Sequence, residues 1–113
     1  MSSRETRPWG WFETIEESEN YKLKKIWVNP NQQFSLQYHN NRDEHWIIVE
    51  GSGTITIETS SFPVYFNESF LIPKGKHHRL KALENGILFY EVQTGKCDED
   101  DIVRIEDDYG RTE

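Results

Sequence analysis

Two short stretches of this 113-residue chain concentrate the side chains best able to hold a cation. The first is Gln37-Tyr38-His39-Asn40-Asn41-Arg42-Asp43-Glu44-His45-Trp46. The second is Pro73-Lys74-Gly75-Lys76-His77-His78-Arg79, and the two together contain all four histidines. On a β-strand, residues two apart share a face. Gln37 and His39 therefore project together, with Ser35 beside them, and Glu44 shares a face with Trp46 and Ile48. A turn at 40–43 is expected to bring the second segment back beside the first, and His78 opens a third strand after a Pro-x-Gly turn. A barrel can converge Gln37, His39, Glu44 and His78 on one interior point. Imidazole nitrogens with carboxylate and amide oxygens suit zinc, iron, manganese, nickel or cobalt. Four such ligands leave one or two positions for water or a substrate oxygen. Spacing alone leaves the ordinary alternative open, in which these are surface or hydrogen-bonded core histidines. His77 and His78 cannot both face inward, and His45, of opposite parity to Glu44, is expected outside or behind the ligands.

The elements that must position these residues are short and apolar. Candidate strands are 10–15, 21–28, 33–39, 45–50, 53–59, 62–66, 69–72, 77–83, 86–93 and 101–105, rich in Val, Ile, Phe, Tyr, Trp and Thr. Turn signals separate them: Glu19-Asn20, Asn29-Pro30-Asn31, Asn40-Asn41, Gly51-Ser52-Gly53, Ser60-Ser61, Pro73-Lys74-Gly75 and Asn85-Gly86. No long segment keeps a helical period. Many short strands with frequent turns predict an all-β sandwich or barrel, and the length predicts a single domain over 1–113 with its core at about 7–111. Trp46 and Phe34 are expected in the core, Trp9 and Trp11 as a lid or staple near the chain end, and residues 1–6 and 107–113 at ends that are mobile unless they dock on the barrel.

Net charge is -7, and eight acidic residues crowd positions 98–113 against Arg104 and Arg111. That tail reads as a solvated surface segment. Without a basic face, nucleic-acid binding is not expected. No stretch approaches the roughly 20 apolar residues that span a bilayer. The first eight residues lack the apolar run of a secretory signal, and the lone Cys97 has no internal disulfide partner. A cytoplasmic protein is the simplest expectation.

The segment Asn31-x5-Gln37-x-His39-x4-Glu44-x6-Gly51 resembles the first cupin motif, with Gln in place of its usual first His. Asn67-x5-Pro73-x-Gly75-x2-His78 resembles the second, with Asn at its usual leading Gly. Further blocks are similar to the type II mannose-6-phosphate isomerases. These are Arg7-Pro8-Trp9-Gly10, Ser35-Leu36-Gln37-x-His39, Arg42-x-Glu44-His45-Trp46, Ile72-Pro73-x-Gly75-x-x-His78-Arg79-Leu80, Glu91-Val92-Gln93-x-Gly95 and Asp100-Asp101-Ile102-Val103-Arg104-x-Glu106-Asp107-Asp108-Tyr109-Gly110-Arg111. The resemblance spans roughly residues 7–111. It departs at His39-Asn40-Asn41-Arg42, where the family usually reads His-His-His-Arg.

The resemblance implies a cupin barrel (double-stranded β-helix, or jelly roll) with metal ligands Gln37, His39, Glu44 and His78. It implies one divalent metal ion, zinc foremost, with manganese, iron, nickel or cobalt as alternatives, and a homodimer paired through sheet edges. The implied activity is interconversion of mannose 6-phosphate and fructose 6-phosphate, with a small sugar phosphate as partner. Such a reaction needs a base to carry a proton between C1 and C2, for which Glu91, His45 and Lys24 are candidates. It also needs cations for the phosphate, for which Arg42, Arg79 and Arg111 are candidates through their bidentate forks; surface salt bridges are the ordinary alternative for each. In that family the domain often forms the C-terminal part of an enzyme with a mannose-1-phosphate guanylyltransferase. No Gly-rich nucleotide loop is present, so this chain alone is not expected to make GDP-mannose. Two other readings remain: a non-catalytic cupin binding a sugar or sugar nucleotide, and a metal-dependent cupin enzyme, such as a dioxygenase, acting on another small substrate.

Overall fold

The computed structural model describes residues 4–111. Nine antiparallel strands follow one another: β1 (Arg4–Arg7), β2 (Gly10–Glu17), β3 (Tyr21–Val28), β4 (Leu36–Tyr38), β5 (Arg42–Ile57), β6 (Ser60–Val64), β7 (Ser69–Ile72), β8 (His78–Gly95) and β9 (Val103–Glu106). The long strands β5 and β8 run side by side from Arg42↔Gly95 to Ile57↔His78. All nine strands form one continuous sheet that curls over, and the two halves of β5 and β8 belong to its two facing walls, or sheets. The first half of β5 pairs with β7 and the second half of β8 with β3, which continues to β2 and β1. The second half of β5 pairs with β6, and the start of β8 with β4, which leads to β9.

Both long strands turn the corner between sheets through glycine. Gly-Ser-Gly at 51–53 and Asn-Gly at 85–86 look like hairpin turns in the sequence, but here they lie inside continuous strands. Register slips between Ile48 and Glu50 and between Gly51 and Gly53 mark bulges, which bend a strand without ending it. Gly51 and Gly86 have φ of 78° and 73°. A Cβ on Gly51 would lie 2.0 Å from the Gly86 carbonyl oxygen.

The expected return of residues 42 onward beside Gln37–His39 is not seen. β4 pairs with β8 and β9, while β5 crosses to the other sheet. The two ligand segments face each other across the barrel instead of lying in one hairpin. β1 went unpredicted, being polar and exposed, and it forms the edge beside β2.

Alternation on three neighbouring strands produces a gradient along the inward face. One cross-strand row holds Val28 and Ile87, the next Ile26, Phe89 and Ile48, the next Lys24, Glu91 and Trp46, and the last Lys22, Gln93 and Glu44. All of these side chains are buried. The core is completed by Ile55, Val64, Leu80 and Ala82, and by Ile72, which pairs with Glu44 across β7 and β5. Trp9 stacks edge-on against Phe34, and Phe34 against Trp46, closing the core beneath the polar rows. Phe34 and Trp46 are core residues as expected, and Trp9 is packed with them.

Replacing Gly51 by Ala forces a Cβ onto the neighbouring strand at a backbone angle that L-residues rarely adopt. Urea unfolding is expected to show a loss of about 1–3 kcal/mol, whereas Gly110→Ala, at a φ of 75° with open space around it, should lose less.

Candidate metal centre

The carboxylate of Glu44, 2% exposed, sits where the two sheets face each other at the polar end of the barrel. His39, just beyond β4, and His78, the first residue of β8, bring their imidazoles to it. His39 Nε2 is 3.2 Å from one Glu44 oxygen, and His78 Nε2 is 3.7 Å from the other. One ligand atom from each of the three residues lies within 4.8 Å of the others.

The tautomers follow from the other ring nitrogens. His39 Nδ1 is 2.6 Å from the Asp101 carbonyl oxygen and His78 Nδ1 is 2.9 Å from that of Lys76. A carbonyl only accepts, so each Nδ1 carries the proton and each Nε2 keeps a lone pair. Backbone carbonyls commonly fix metal-binding imidazoles in this way. His78 Nε2 is buried without a hydrogen-bond partner. A buried orphan acceptor is costly, and a cation facing it and Glu44 removes the cost. The donor set therefore fits a divalent metal.

Gln37 is the cross-strand partner of His78 on β4. Its side-chain oxygen accepts a hydrogen bond from Ser35 Oγ at 2.7 Å, and the residue lines the same cavity. Of the four residues picked from the sequence, His39, Glu44 and His78 thus cluster, and Gln37 lies beside His78 in the β4–β8 register. His45 points outward and is exposed, and His77 stacks on Tyr38.

Arg42 and Trp46 hold Glu44 from behind. Arg42 Nε donates to it at 2.9 Å and Trp46 Nε1 at 3.1 Å, while Arg42 Nη2 donates to His39 Nε2 at 3.2 Å. Burial pushes the Glu44 carboxyl up, but the charges of His78, His39 and Arg42 outweigh it and hold it below the usual range; Arg42 is the permanent one. Burial brings His39 down to about 4. Glu91 lies one row deeper, buried beside Gln93. Burial, then the nearby Glu44 charge, pushes its carboxyl up to about 8, against the pull of Lys24 and Arg42.

These groups open into a cavity of about 450 Å³, within the range of small-molecule sites. Arg7, Lys24, Arg42, Arg104 and Arg111 supply cationic wall, and Glu99 and Asp100 acidic wall. Of the three arginines expected to meet a phosphate, Arg42 and Arg111 line the cavity. Arg79 does not, because it follows inward His78 by one residue and faces the other way, bound to the Phe34 carbonyl and Glu106. Sequence reasoning missed Arg7, Arg104 and Glu99. Arg104 had a usable signal in its place within the family-like block Asp100–Arg111, and the structure pairs it with Gln37 across β4 and β9.

The acidic tail is not merely solvated. Asp101 accepts from the backbone N–H groups of Asn40 and Asn41 at 2.9 and 2.8 Å, and Glu99 binds Lys22 and Lys24. Cys97 is a free thiol whose pKa burial raises, which fits an inert residue.

A buried His-His-Glu cluster inside a two-sheet antiparallel barrel defines a cupin. Solved structures with this fold include a uridine-bound variant of Streptomyces PAC13 (TM-score 0.82, 11% identity, 94% of this chain and 86% of that one). KdgF from Halomonas is also similar (TM-score 0.77, 13% identity, 87% and 92%), as is a cupin-2 domain from Rhodospirillum rubrum (TM-score 0.69, 16% identity, 80% and 67%). The chain belongs to the family described as mannose-6-phosphate isomerase C-terminal, whose profile matches residues 1–107. It is 44% identical over 108 residues to the xanthan biosynthesis protein XanB of Xanthomonas campestris, covering 94% of this chain and 23% of that protein. It is 41% identical over 110 residues to the mannose-1-phosphate guanylyltransferase ManC of Salmonella typhimurium (93% and 22%). The alginate biosynthesis protein AlgA of Pseudomonas aeruginosa is 40% identical over 108 residues (94% and 22%). The chain spans less than a quarter of each of these relatives. Among the described residues no helix is long and apolar enough to cross a membrane.

The buried groups give metal-free protein a defined pH response. Glu91 keeps its proton in the folded state up to about 8 but loses it near 4.5 when unfolded, so its contribution fades as pH rises between those values. His39, lowered from 6.5 to about 4, contributes fully above 6.5 and less as pH falls toward 4. The two oppose each other from 4.5 to 6.5; from 6.5 to 8 the contribution of Glu91 falls while that of His39 is already complete. The urea midpoint of chelator-treated protein should fall across that upper window, and Glu91→Gln should flatten the fall.

Proposed function

We propose that this domain is a metal-dependent aldose–ketose isomerase that interconverts mannose 6-phosphate and fructose 6-phosphate. The observation that carries the reading is the buried His39–Glu44–His78 cluster, in which His78 Nε2 has no hydrogen-bond partner and His39 and Glu44 line a cavity walled by cations. Family membership supports the choice of substrate class. His39, His78 and Glu44 would hold the metal, with the Gln37 amide as fourth ligand. Two imidazoles and a carboxylate are a recurrent catalytic zinc set, which favours zinc. When bound, the metal supplies Lewis-acid polarisation of the sugar oxygens at C1 and C2.

The remaining work falls to the chain itself. Arg42 and Trp46 keep Glu44 oriented. Phe34, Trp9 and Trp46 exclude water from the cavity floor, which strengthens every charge interaction above it. Of the three candidate bases, His45 faces solvent on the outer side of β5, and the Lys24 ammonium is engaged by Glu99 over the Phe12 ring. Glu91 lines the cavity in the row beside Glu44, and in this reading it takes the proton from one carbon and returns it to the other. The homodimer expected from the resemblance is proposed alongside, since apolar Ile47, Leu71 and Val92 are exposed on the outward face of β5, β7 and β8. Light scattering giving a monomer mass at assay concentration would remove it.

Metal analysis of the purified protein with a coupled assay on mannose 6-phosphate tests the main reading. Chelation is expected to abolish turnover and metal addition to restore it. His78→Ala should lose both metal and turnover. Glu91→Gln should keep the metal and lose about 10²–10⁴-fold in turnover, the usual share of a general acid–base. A fully metallated protein inert toward hexose 6-phosphates would instead support a sugar-binding cupin.

A further inference from the structure

Lys22 and Lys24 lie on the inward face of β3, each 5% exposed. Two ammonium groups so deeply buried on one strand face are unusual, since lysine is seldom buried without a partner. Both reach the same oxygen: Glu99 Oε2 lies 3.0 Å from Lys22 Nζ and 2.7 Å from Lys24 Nζ. Glu17 is a more distant partner of Lys22, at 3.6 Å. Glu99 differs from the lysines in its surroundings. It sits in the segment between β8 and β9, and its side chain is 51% exposed. Its carboxyl is held down to about 2 by the two lysines, with burial opposing.

The rigid half of this arrangement is the cationic pair, and the loose half is the anion. The segment carrying Glu99 does not depend on that carboxylate for its position. Asp101 anchors it to residues 39–41, and the Asp98 carbonyl accepts from Arg42 Nη1 at 3.1 Å. Glu99 can therefore rotate outward without the segment moving. Lys24 and Glu99 line the same cavity as His39 and Glu44. In the cross-strand row Lys22–Gln93–Glu44 the ends are two strand spacings apart, about 10 Å. An open-chain hexose 6-phosphate carries its phosphate at the end of the chain remote from C1 and C2, and fits such a separation.

We propose that Lys22 and Lys24 form the subsite for the substrate's phosphate, and that the Glu99 carboxylate fills it in the free protein as a displaceable internal anion. The proposal rests on the sugar-phosphate reading above and names the groups that hold the phosphate. A permanently available pair of buried cations without any anion would destabilise the fold. Glu99 neutralises them until a dianion, richer in charge and acceptor oxygens, takes its place. The internal anion lowers apparent affinity by the fraction of time it occupies the site.

Calorimetric titration of inorganic phosphate into the full chain, at fixed ionic strength, tests this without turnover. Glu99→Gln removes the competing charge while keeping size and polarity, and should bind phosphate about tenfold more tightly than the unaltered protein. Adding Lys24→Gln to that variant should cancel the gain. In unaltered protein, the Glu99 side-chain carboxyl resonance should move toward that of a solvent-exposed glutamate as phosphate is added. Phosphate affinity unchanged or weakened in a folded Glu99→Gln protein, or a Glu99 resonance that ignores saturating phosphate, overturns the subsite. A tightened Glu99→Gln variant in a protein that does not turn over mannose 6-phosphate would leave the subsite standing and the isomerase reading fallen. Turnover without the affinity change would do the reverse.

Discussion

The burial of one ionised carboxylate governs the polar end of this barrel. An unpaired carboxylate in a protein interior costs several kcal/mol even after relaxation. Glu44 is 2% exposed, and everything near it answers that cost. Arg42 supplies a permanent charge and a hydrogen bond, and the Trp46 indole supplies a second donor. The two imidazoles do not complete the compensation as hydrogen-bond donors, because backbone carbonyls have taken their Nδ1 protons. What faces Glu44 from their side is two Nε2 lone pairs, that of His39 met by Arg42 Nη2 and that of His78 by no donor. A cation between Glu44 and His78 would satisfy both, so the same geometry that burdens the fold indicates what belongs there.

The barrel can carry that burden because the load is confined to one end. Along β3, β5 and β8 the inward residues change from Val28, Ile48 and Ile87 to Lys22, Glu44 and Gln93 within four rows. The apolar rows bury enough surface to hold the sheets together. The polar rows then need only be mutually satisfied, and Lys22, Lys24, Arg42, Glu44, Glu91 and Glu99 nearly neutralise one another. The segment after β8 closes this end. Through Asp98, Glu99 and Asp101 it touches Arg42, both lysines and His39, so this segment helps to hold the groups around the candidate ligands.

Much of this was legible in residue parity. Glu44, Trp46 and Ile48 face inward together, His45 outward, and His78 inward with His77 excluded, because alternation on a pleated strand is local and cannot be overridden without a bulge. The strands 21–28 and 69–72 were equally plain. What the sequence concealed was non-local. Gly51-Ser52-Gly53 and Asn85-Gly86 carry the same residues whether the chain reverses or merely bends, and the difference lies in whether a neighbouring strand continues the ladder. The crossing of residues 42 onward to the opposite sheet has no periodic signature either. Glu99 and Asp101 looked like members of a solvated acidic run because charge composition says nothing about which members find buried partners.

The Asn40-Asn41 departure from the family's usual histidines can be weighed on these terms. Both side chains are exposed, and the structure uses these two residues through their backbone. Their N–H groups donate to the two oxygens of Asp101, whose carbonyl in turn fixes the His39 tautomer. A carboxylate that grips two consecutive N–H groups is indifferent to the side chains they carry, and asparagine suits the turn conformations such a segment needs. Exchanging imidazoles for amides there leaves His39, Glu44 and His78 where they are. It alters instead what the rim beside them offers to an approaching ligand: two neutral groups that do not titrate near neutral pH, in place of two that do. The departure therefore bears on the approach to the centre and on its pH response, while the capacity to hold a cation rests on residues it does not touch.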